Sequence, residues 1–414
     1  MLDPTTGYRK AGLIVQGPPL PFVGMVRYLA GRTPDSTYVL TTLSLANRSL
    51  TFTSDGSAQR AEYAVLLDLQ QGGVTAKHSE AREIVRVSSF KETTRTDESI
   101  VFQQFLLAAP GQYTLSITVR DQAGTNAAVV QVPVSIPRFA AGTLSSLVPV
   151  HQATPRARVD SFPTLIANSR ATVVFGRDSL APVYLEGYGL APDARVAVSV
   201  VNDQHRPVLR DTVQLARFGP VAAAVLNFPV PRMGVGRLEI DASVVGSSDS
   251  SVTPMLVTFG DELGVMSFDE LLGYLRYYAT PERLQALRDS SPEQQAAAWA
   301  AFWKSTDPVT STPEHEGLRE YFARIQSANQ RFGEEGGPGW LTDRGKVYIT
   351  LGEPDQVLEQ GGAGVNTRGR AQVWDYGRFH AQLVLIDQTG FGRWRLTPAS
   401  EAQFQQIARQ ERVH

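Results

Sequence analysis

The sequence predicts a multidomain, mainly β chain: two β-sandwich modules over residues 1–137 and 138–260, then an α+β domain over 261–414. Three observations carry this. The chain has 414 residues, 42% of them hydrophobic, enough for several cores at about 100–200 residues per domain. Its first 260 residues are dense in β-branched residues that alternate with period two between turn signals. From about Asp261 the hydrophobic period changes to 3.6.

In the first module the clearest strand is Tyr113 to Val119, where Tyr113, Leu115, Ile117 and Val119 share one face. Ala109-Pro110-Gly111-Gln112 turns into it and Asp121-Gln122-Ala123-Gly124 turns out. Further strands are expected at 38–46, 49–52, 62–69, 84–87, 100–107 and 127–136. Short strands at this spacing suit a sandwich. The run Pro-Gly-x-Tyr-x-Leu-x-Ile-x-Val-x-Asp is similar to the late strand of immunoglobulin-like modules, so the fold class is two immunoglobulin-like sandwiches ahead of the C-terminal domain. The second module follows a mixed connection through Pro155 and Pro163. Its strands are expected at 172–175, 183–187, 195–201, 208–215, 223–230, 236–245 and 252–259.

Function classes fall away on composition. Lys and Arg total 39 and Asp and Glu 41, a net charge of −2, without the basic excess of a nucleic-acid binder. Cysteine is absent, which removes disulfides, cysteine–zinc sites, iron–sulfur clusters and cysteine nucleophiles. No run approaches about 18 apolar residues, so no transmembrane segment is expected. The start, Met-Leu-Asp-Pro-Thr-Thr-Gly-Tyr, is no signal peptide; Asp3 to Gly7 reads as a linker, with an export segment expected ahead of it. The six histidines, at 78, 151, 205, 315, 380 and 414, form neither His-x-x-x-His nor His-Glu-x-x-His. Gly361-Gly362-Ala363-Gly364 lacks the Gly-Lys-Ser/Thr of a phosphate loop and reads as a hairpin loop.

In the C-terminal domain Phe268, Leu271, Leu272, Leu275 and Tyr278 mark one helical face, started by a Ser267/Glu270 capping box. Further helix starts are Thr280-Pro281, Ser291-Pro292 and Thr312-Pro313. The last precedes a face of Leu318, Tyr321, Phe322, Ile325 and Phe332. After the Gly-rich stretch 333–339, the alternation of Val347, Ile349 and Leu351 predicts a strand. Strands at 373–376, 382–386 and 392–396 complete a small antiparallel sheet, with Asp387-Gln388-Thr389-Gly390 as a turn. Thr397-Pro398 starts a terminal helix.

The most distinctive run is Gly339-Trp340-Leu341-Thr342-Asp343-Arg344-Gly345, continuing to Gly352-Glu353-Pro354-Asp355. Upstream stand Trp303, Asp307-Pro308, Glu316, Tyr321, Arg324, Ala328-Asn329 and Phe332. Downstream stand Trp374, Tyr376 and Asp387 to Gly390. Together these resemble the GWxTD domain of bacterial envelope and exported proteins over residues 262–397. One departure is His315, where that family has Asn. The resemblance implies sandwich modules upstream, a periplasmic, outer-membrane-associated or extracellular location, and a protein or peptide partner at the envelope. It implies no catalytic residues, because the family has none assigned.

The motif residues admit two readings. As structure, Trp340 packs between helices and sheet, and Thr342 and Asp343 accept backbone N–H bonds. Arg344 forks a carboxylate such as Glu316 or Asp307, and Gly345 permits a positive φ or a close approach. Glu353 and Asp355 then belong to a Gly-x-Pro-Asp turn. As chemistry, Asp343 is a base and Arg344 an anion clamp, or Asp307, Glu316 and Asp343 converge on a hard cation. The structural reading is preferred, so no metal or cofactor is expected. The function it predicts is a non-enzymatic binding or structural module. The alternative is an envelope hydrolase with a site near Asp343, Arg344 and Glu316.

Overall fold

The computed structural model of the chain describes residues 4–94, 99–156, 158–259, 266–333, 337–361 and 370–412. The N-terminal strands are β1 (Ile14–Gln16), β2 (Phe22–Ala30), β3 (Thr37–Ala46), β4 (Thr53–Asp55), β5 (Ala58–Gln71), β6 (Val74–Val87), β7 (Ser99–Ala108), β8 (Gly111–Asp121) and β9 (Ala127–Ile136). They form two antiparallel sheets, β1-β2-β3-β7 and β4-β5-β8-β9, with β6 also on β5. Alternation decides what lies between them. Val39, Leu43 and Phe102 of one sheet meet Val65, Leu67, Leu115 and Ile117 of the other. Tyr113 and Val119 are buried in the same core, as the period-two reading predicts.

The next strands are β10 (Thr143–Leu144), β11 (Val148–Thr154), β12 (Thr164–Ala167), β13 (Thr172–Val174), β14 (Leu180–Tyr188) and β15 (Val196–Asn202). After them come β16 (Pro207–Val213), β17 (Ala216–Phe218), β18 (Val221–Pro229), β19 (Gly236–Val244) and β20 (Ser250–Thr258). One sheet runs β12-β11-β14-β18-β17 with β10 on β14, and another β13-β20-β19-β15-β16. The β13–β20 pair is parallel.

The two sheet pairs meet across β3. Its second face carries Tyr38 and Leu40, which pack with Leu29 against Val148, Val150, Tyr184, Val221 and Ala223. A strand covered on both faces reads as a continuous apolar and threonine run, which is what Thr37–Leu45 is. Residues Asp3–Met266 with Pro292–Ala297 make one compact unit.

The start of the chain differs from the linker expected there. Pro4–Lys10 is a helix, α1, because Pro suits a first helical turn and Tyr8 finds an apolar nest of Leu13, Val23, Met25 and Leu256. Two short turns of helix follow, α2 (Phe90–Thr93) and α3 (Val230–Met233).

The other unit covers Ser267–Ser291 and Ala298–His414. Its helices are α4 (Phe268–Tyr274), α5 (Pro281–Asp289), α6 (Pro292–Thr306, entering at Ala298), α7 (Glu316–Arg331), α8 (Asp343–Leu351) and α9 (Pro398–Glu411). Its antiparallel sheet runs β21 (Gln356–Gly361), β22 (Arg370–Tyr376), β23 (Ala381–Asp387), β24 (Arg395–Leu396). The Ser267/Glu270 capping box forms as read, with both reciprocal bonds present. Pro281, Pro292 and Pro398 each sit in a first helical turn. Of the expected faces, Phe268, Leu271, Leu272 and Leu275 are buried on α4 and the helical turn after it, where Tyr278 is half-buried, and Leu318, Tyr321, Phe322, Ile325 and Phe332 are buried on α7 and its C-cap.

One element differs from expectation. Val347, Ile349 and Leu351 belong to α8, not to a strand. The Thr342 hydroxyl caps α8 by accepting from Gly345 N, and Gly352 ends it at φ +86°. No residue from Thr342 to Leu351 is exposed. A helix covered on all sides carries no 3.6-residue stripe, so its β-branched residues mimic alternation. The first strand of the sheet is β21 instead. The Gly-rich run 362–364 and residues 334–336 lie outside the described residues. No helix of the described residues is long and apolar enough to cross a membrane.

Candidate functional site

The Gly339–Gly345 run lies between α7 and α8, and each of its small residues answers to a contact. A Cβ on Gly339 would stand 2.0 Å from the carbonyl oxygen of Ala328 in α7. A Cβ on Gly345 would stand 1.9 Å from the carbonyl oxygen of Gly339. Real Cβ atoms do not approach so closely, so the two glycines let three backbone segments stack. Gly345 is needed for this approach, not for a positive φ. Thr342 makes two bonds: its hydroxyl donates to Gly339 O at 2.8 Å and accepts from Gly345 N at 3.0 Å.

Trp340 is 8% exposed. Its N–H is accepted by the Asn329 side chain at 3.0 Å, which explains the Ala-Asn pair near the end of α7. The ring lies 4.6 Å from Tyr274 and 6.2 Å from Tyr277, with the Arg276 guanidinium 4.8 Å from its centroid. These partners come from α4 and the helical turn after it. The helix-to-sheet contact that the sequence assigned to Trp340 is made by Phe332 and Trp374, 5.6 Å apart.

Asp343 accepts Leu396 N at 2.8 Å through Oδ2. The neighbouring Thr397 N bonds inward to Val384 O, so the Leu396 N–H points away from β23. Asp343 therefore satisfies the outer edge of the sheet. Its Oδ1 is 3.3 Å from Lys346 Nζ, which also pairs with Glu401 Oε2 of α9 at 2.6 Å. Burial pushes the Glu401 carboxyl up, but Lys346 and Gln405 together hold it below its ordinary range.

Arg344 lies against rings: its guanidinium is 5.2 Å from the Phe332 centroid and 5.3 Å from that of Trp394. The fork to Glu316 or Asp307 does not form, for a reason of length. Glu316 is the first residue of α7 and Phe332 its C-cap. A 16-residue helix at about 1.5 Å per residue separates its ends by roughly 24 Å. Glu316 instead accepts from Thr312 Oγ1 at 2.6 Å, and Asp307 accepts Val309 N at 3.0 Å. Asp307 and Glu316 thus stand at one end of α7, and Asp343 and Arg344 at the other. Among the described residues no group of three metal-ligating side chains occurs.

Glu353 forks Arg331 at 2.5 and 2.7 Å, and that bond, against a smaller opposing effect of burial, lowers its carboxyl from the ordinary value. Asp355 accepts Gly377 N at 2.7 Å. Both carboxylates therefore serve the turn joining α8 to the sheet.

His315 is a residue whose role sequence reasoning missed. Its ring is 3% exposed, and it stands just before α7. Nδ1 accepts Leu318 N at 3.1 Å, capping the helix, and Nε2 is 2.9 Å from Thr306 Oγ1. An acceptor at Nδ1 puts the proton on Nε2, which donates to Thr306. Imidazole here does the work that a side-chain oxygen does in a usual N-cap. The sequence predicts the helix start at Thr312-Pro313, so the cap at His315 was not legible. Burial pushes the His315 pKa below its ordinary value, with Asp307 opposing.

Asp387 was read as a turn residue, and it is one; what the sequence did not show is its burial. Its side chain is fully buried and accepts Gly392 N at 2.8 Å, Gly390 N at 3.0 Å and the Thr389 hydroxyl at 3.0 Å. Arg370 Nη2 approaches at 3.2 Å. Burial alone would raise this carboxyl, but the four donors together lower it to about 2.

The model of the GWxTD domain matches residues 248–382. No curated protein matches the sequence. Among solved structures, the Bifidobacterium dentium beta-glucuronidase complexed with coumarin-3-O-glucuronide is similar at 10% identity and a TM-score of 0.20. The alignment covers 66% of this chain and 55% of that one, a likeness too slight to carry an argument. The cap and the stacked glycines fall within the stretch of the C-terminal region that the GWxTD domain model matches.

Proposed function

We propose that the chain is an exported or envelope-associated bacterial protein acting as a non-enzymatic protein-binding or structural module, in the periplasm, at the outer membrane or outside the cell. One observation carries this reading. The polar groups of the motif that would have to do chemistry are spent on the fold: Thr342 on a cap, Asp343 on Leu396 and Lys346. The carboxylates that a hydrolase would gather are held at opposite ends of α7. Exposed sheet edges and turns of a rigid domain are a common docking mode for protein and peptide partners.

The test compares intact wild-type chain with Asp343→Asn. Asn keeps an acceptor for Leu396 N but loses the charge facing Lys346. The variant is expected to melt lower, and neither protein to turn over ester, amide or glycoside probes. The intact chain should retain a defined protein from envelope extract, and the heat-unfolded chain should not. Turnover by wild type that Asp343→Asn abolishes at an unchanged melting temperature would overturn the reading and install the hydrolase.

A further inference from the structure

The turn that Asp387 organises presents an apolar ring to water. Phe391 is 82% exposed. It sits between Gly390 at φ +76° and Gly392 at φ +84°, the two residues whose N–H groups the buried carboxylate holds. Both glycines occupy the left-handed region that side chains disfavour, so the turn is built for one shape. Among the described residues the Phe391 ring has no aromatic partner, although burying a Phe side chain is favourable. A rigid turn that withholds its largest apolar group from the core presents a preorganised anchor.

Arginines follow this ring along the chain. From Phe391 onward the side chains alternate: Trp394 and Leu396 are buried, while Phe391, Arg393 and Arg395 are exposed. Arg370, 57% exposed, lies 5.4 Å from the Trp394 ring centroid and reaches Asp387. Arg344 lies 5.3 Å from the same indole, which is buried. Arg393 and Arg395 thus follow the exposed phenyl ring along the chain and are themselves exposed, and Arg370, also exposed, reaches the buried carboxylate that organises the turn.

We propose that Phe391, Arg393 and Arg395, with Arg370 beside them, form a docking surface for a protein partner whose acidic segment also carries apolar side chains. The proposal rests on the binding-module reading and names the surface and the partner's chemistry. Arg and aromatic residues are the usual anchors of protein interfaces. Arginine also favours planar, bidentate recognition of carboxylates.

The test measures anisotropy of a labelled glutamate–leucine copolymer with the intact chain, beside a lysine–leucine copolymer and phosphatidylglycerol vesicles. The glutamate–leucine copolymer should bind and the lysine–leucine copolymer should not. Phe391→Ser should weaken binding about tenfold or more, and Arg393→Glu with Arg395→Glu should abolish it. Melting temperatures should not move, since these side chains are exposed. No binding by wild type, or equal binding by the variants, overturns the proposal. Vesicle binding that follows the same variants, with none to the copolymer, overturns it in favour of a membrane surface. If Phe391→Ser still retains the protein captured from envelope extract by wild type, this surface falls and the binding-module reading stands.

Discussion

His315 and Trp340 show how much one side chain can hold. The imidazole works as a cap only while Nδ1 is unprotonated, and burial lowers its pKa in the folded chain. The unfolded chain therefore takes up the proton first, near the ordinary value of about 6.5. Stability is fully present above that value and is lost as pH falls from it through the lower folded value. All five tryptophans lie between residues 299 and 394, so tryptophan fluorescence reads this region alone. Melts followed that way should drop below about pH 6.5 in wild type and less steeply in His315→Asn, which keeps an acceptor. His315→Ala should cost about 1–2 kcal/mol at neutral pH, as lost caps do. Trp340→Ala removes a ring stacked on Tyr274 and clamped by Arg276; it should cost roughly 3–5 kcal/mol, read as an earlier loss of the same signal. A melt that does not change would remove the packing role.

At the scale of elements, the motif is a joint between α7 and α8. Gly339 and Gly345 bring Ala328, Gly339 and the first turn of α8 into backbone contact. Gly345→Ala places a methyl group 1.9 Å from a carbonyl oxygen, where neither backbone can yield cheaply. Overpacking of this kind costs about 1–3 kcal/mol or more. Denaturant titration should show a lower midpoint, and an unchanged midpoint would mean that the helices slide apart freely. The helix α8 itself was misread as a strand because β-branched residues at 347, 349 and 350 outweighed its cap. The cap was legible in Thr342, three residues before Gly345, and Gly352 marked the stop. The Ser267/Glu270 capping box and the proline starts at 281, 292 and 398 were readable because they involve residues at most three or four apart, which local geometry alone brings together.

At the scale of the whole chain, the N-terminal unit depends on a buried ion pair. Arg156 and Glu186 have side chains 1% and 0% exposed. All five Arg156 N–H donors are used: two on Glu186, one each on Val159, Ser161 and Ala30 carbonyls. Tyr184 and Tyr188 donate to the same carboxylate at 2.6 Å. This network ties the connection after β11 to β2 and β14. Arg156→Met leaves Glu186 buried without its cation and should cost about 3–5 kcal/mol in calorimetry. The pair Arg156→Met with Glu186→Leu should recover most of that loss. If the double variant melts no higher than the single one, the carboxylate is not what suffers.

The amino-acid sequence by itself determined the β-rich first part, the change of period near residue 261, the helix starts at Ser267, Thr280, Ser291 and Thr397, and the presence of the GWxTD stretch. These rest on spacings of two to four residues, which the geometry of strand and helix converts directly into faces and caps. Tertiary structure alone decided that β3 is covered on both sides, that α8 is a helix wrapped by neighbours, and that Glu316 stands far from Asp343. Such outcomes depend on which surfaces meet, and the partners come from segments tens of residues away. That is also why Asp343 was legible as a backbone acceptor while its donor, Leu396, was not.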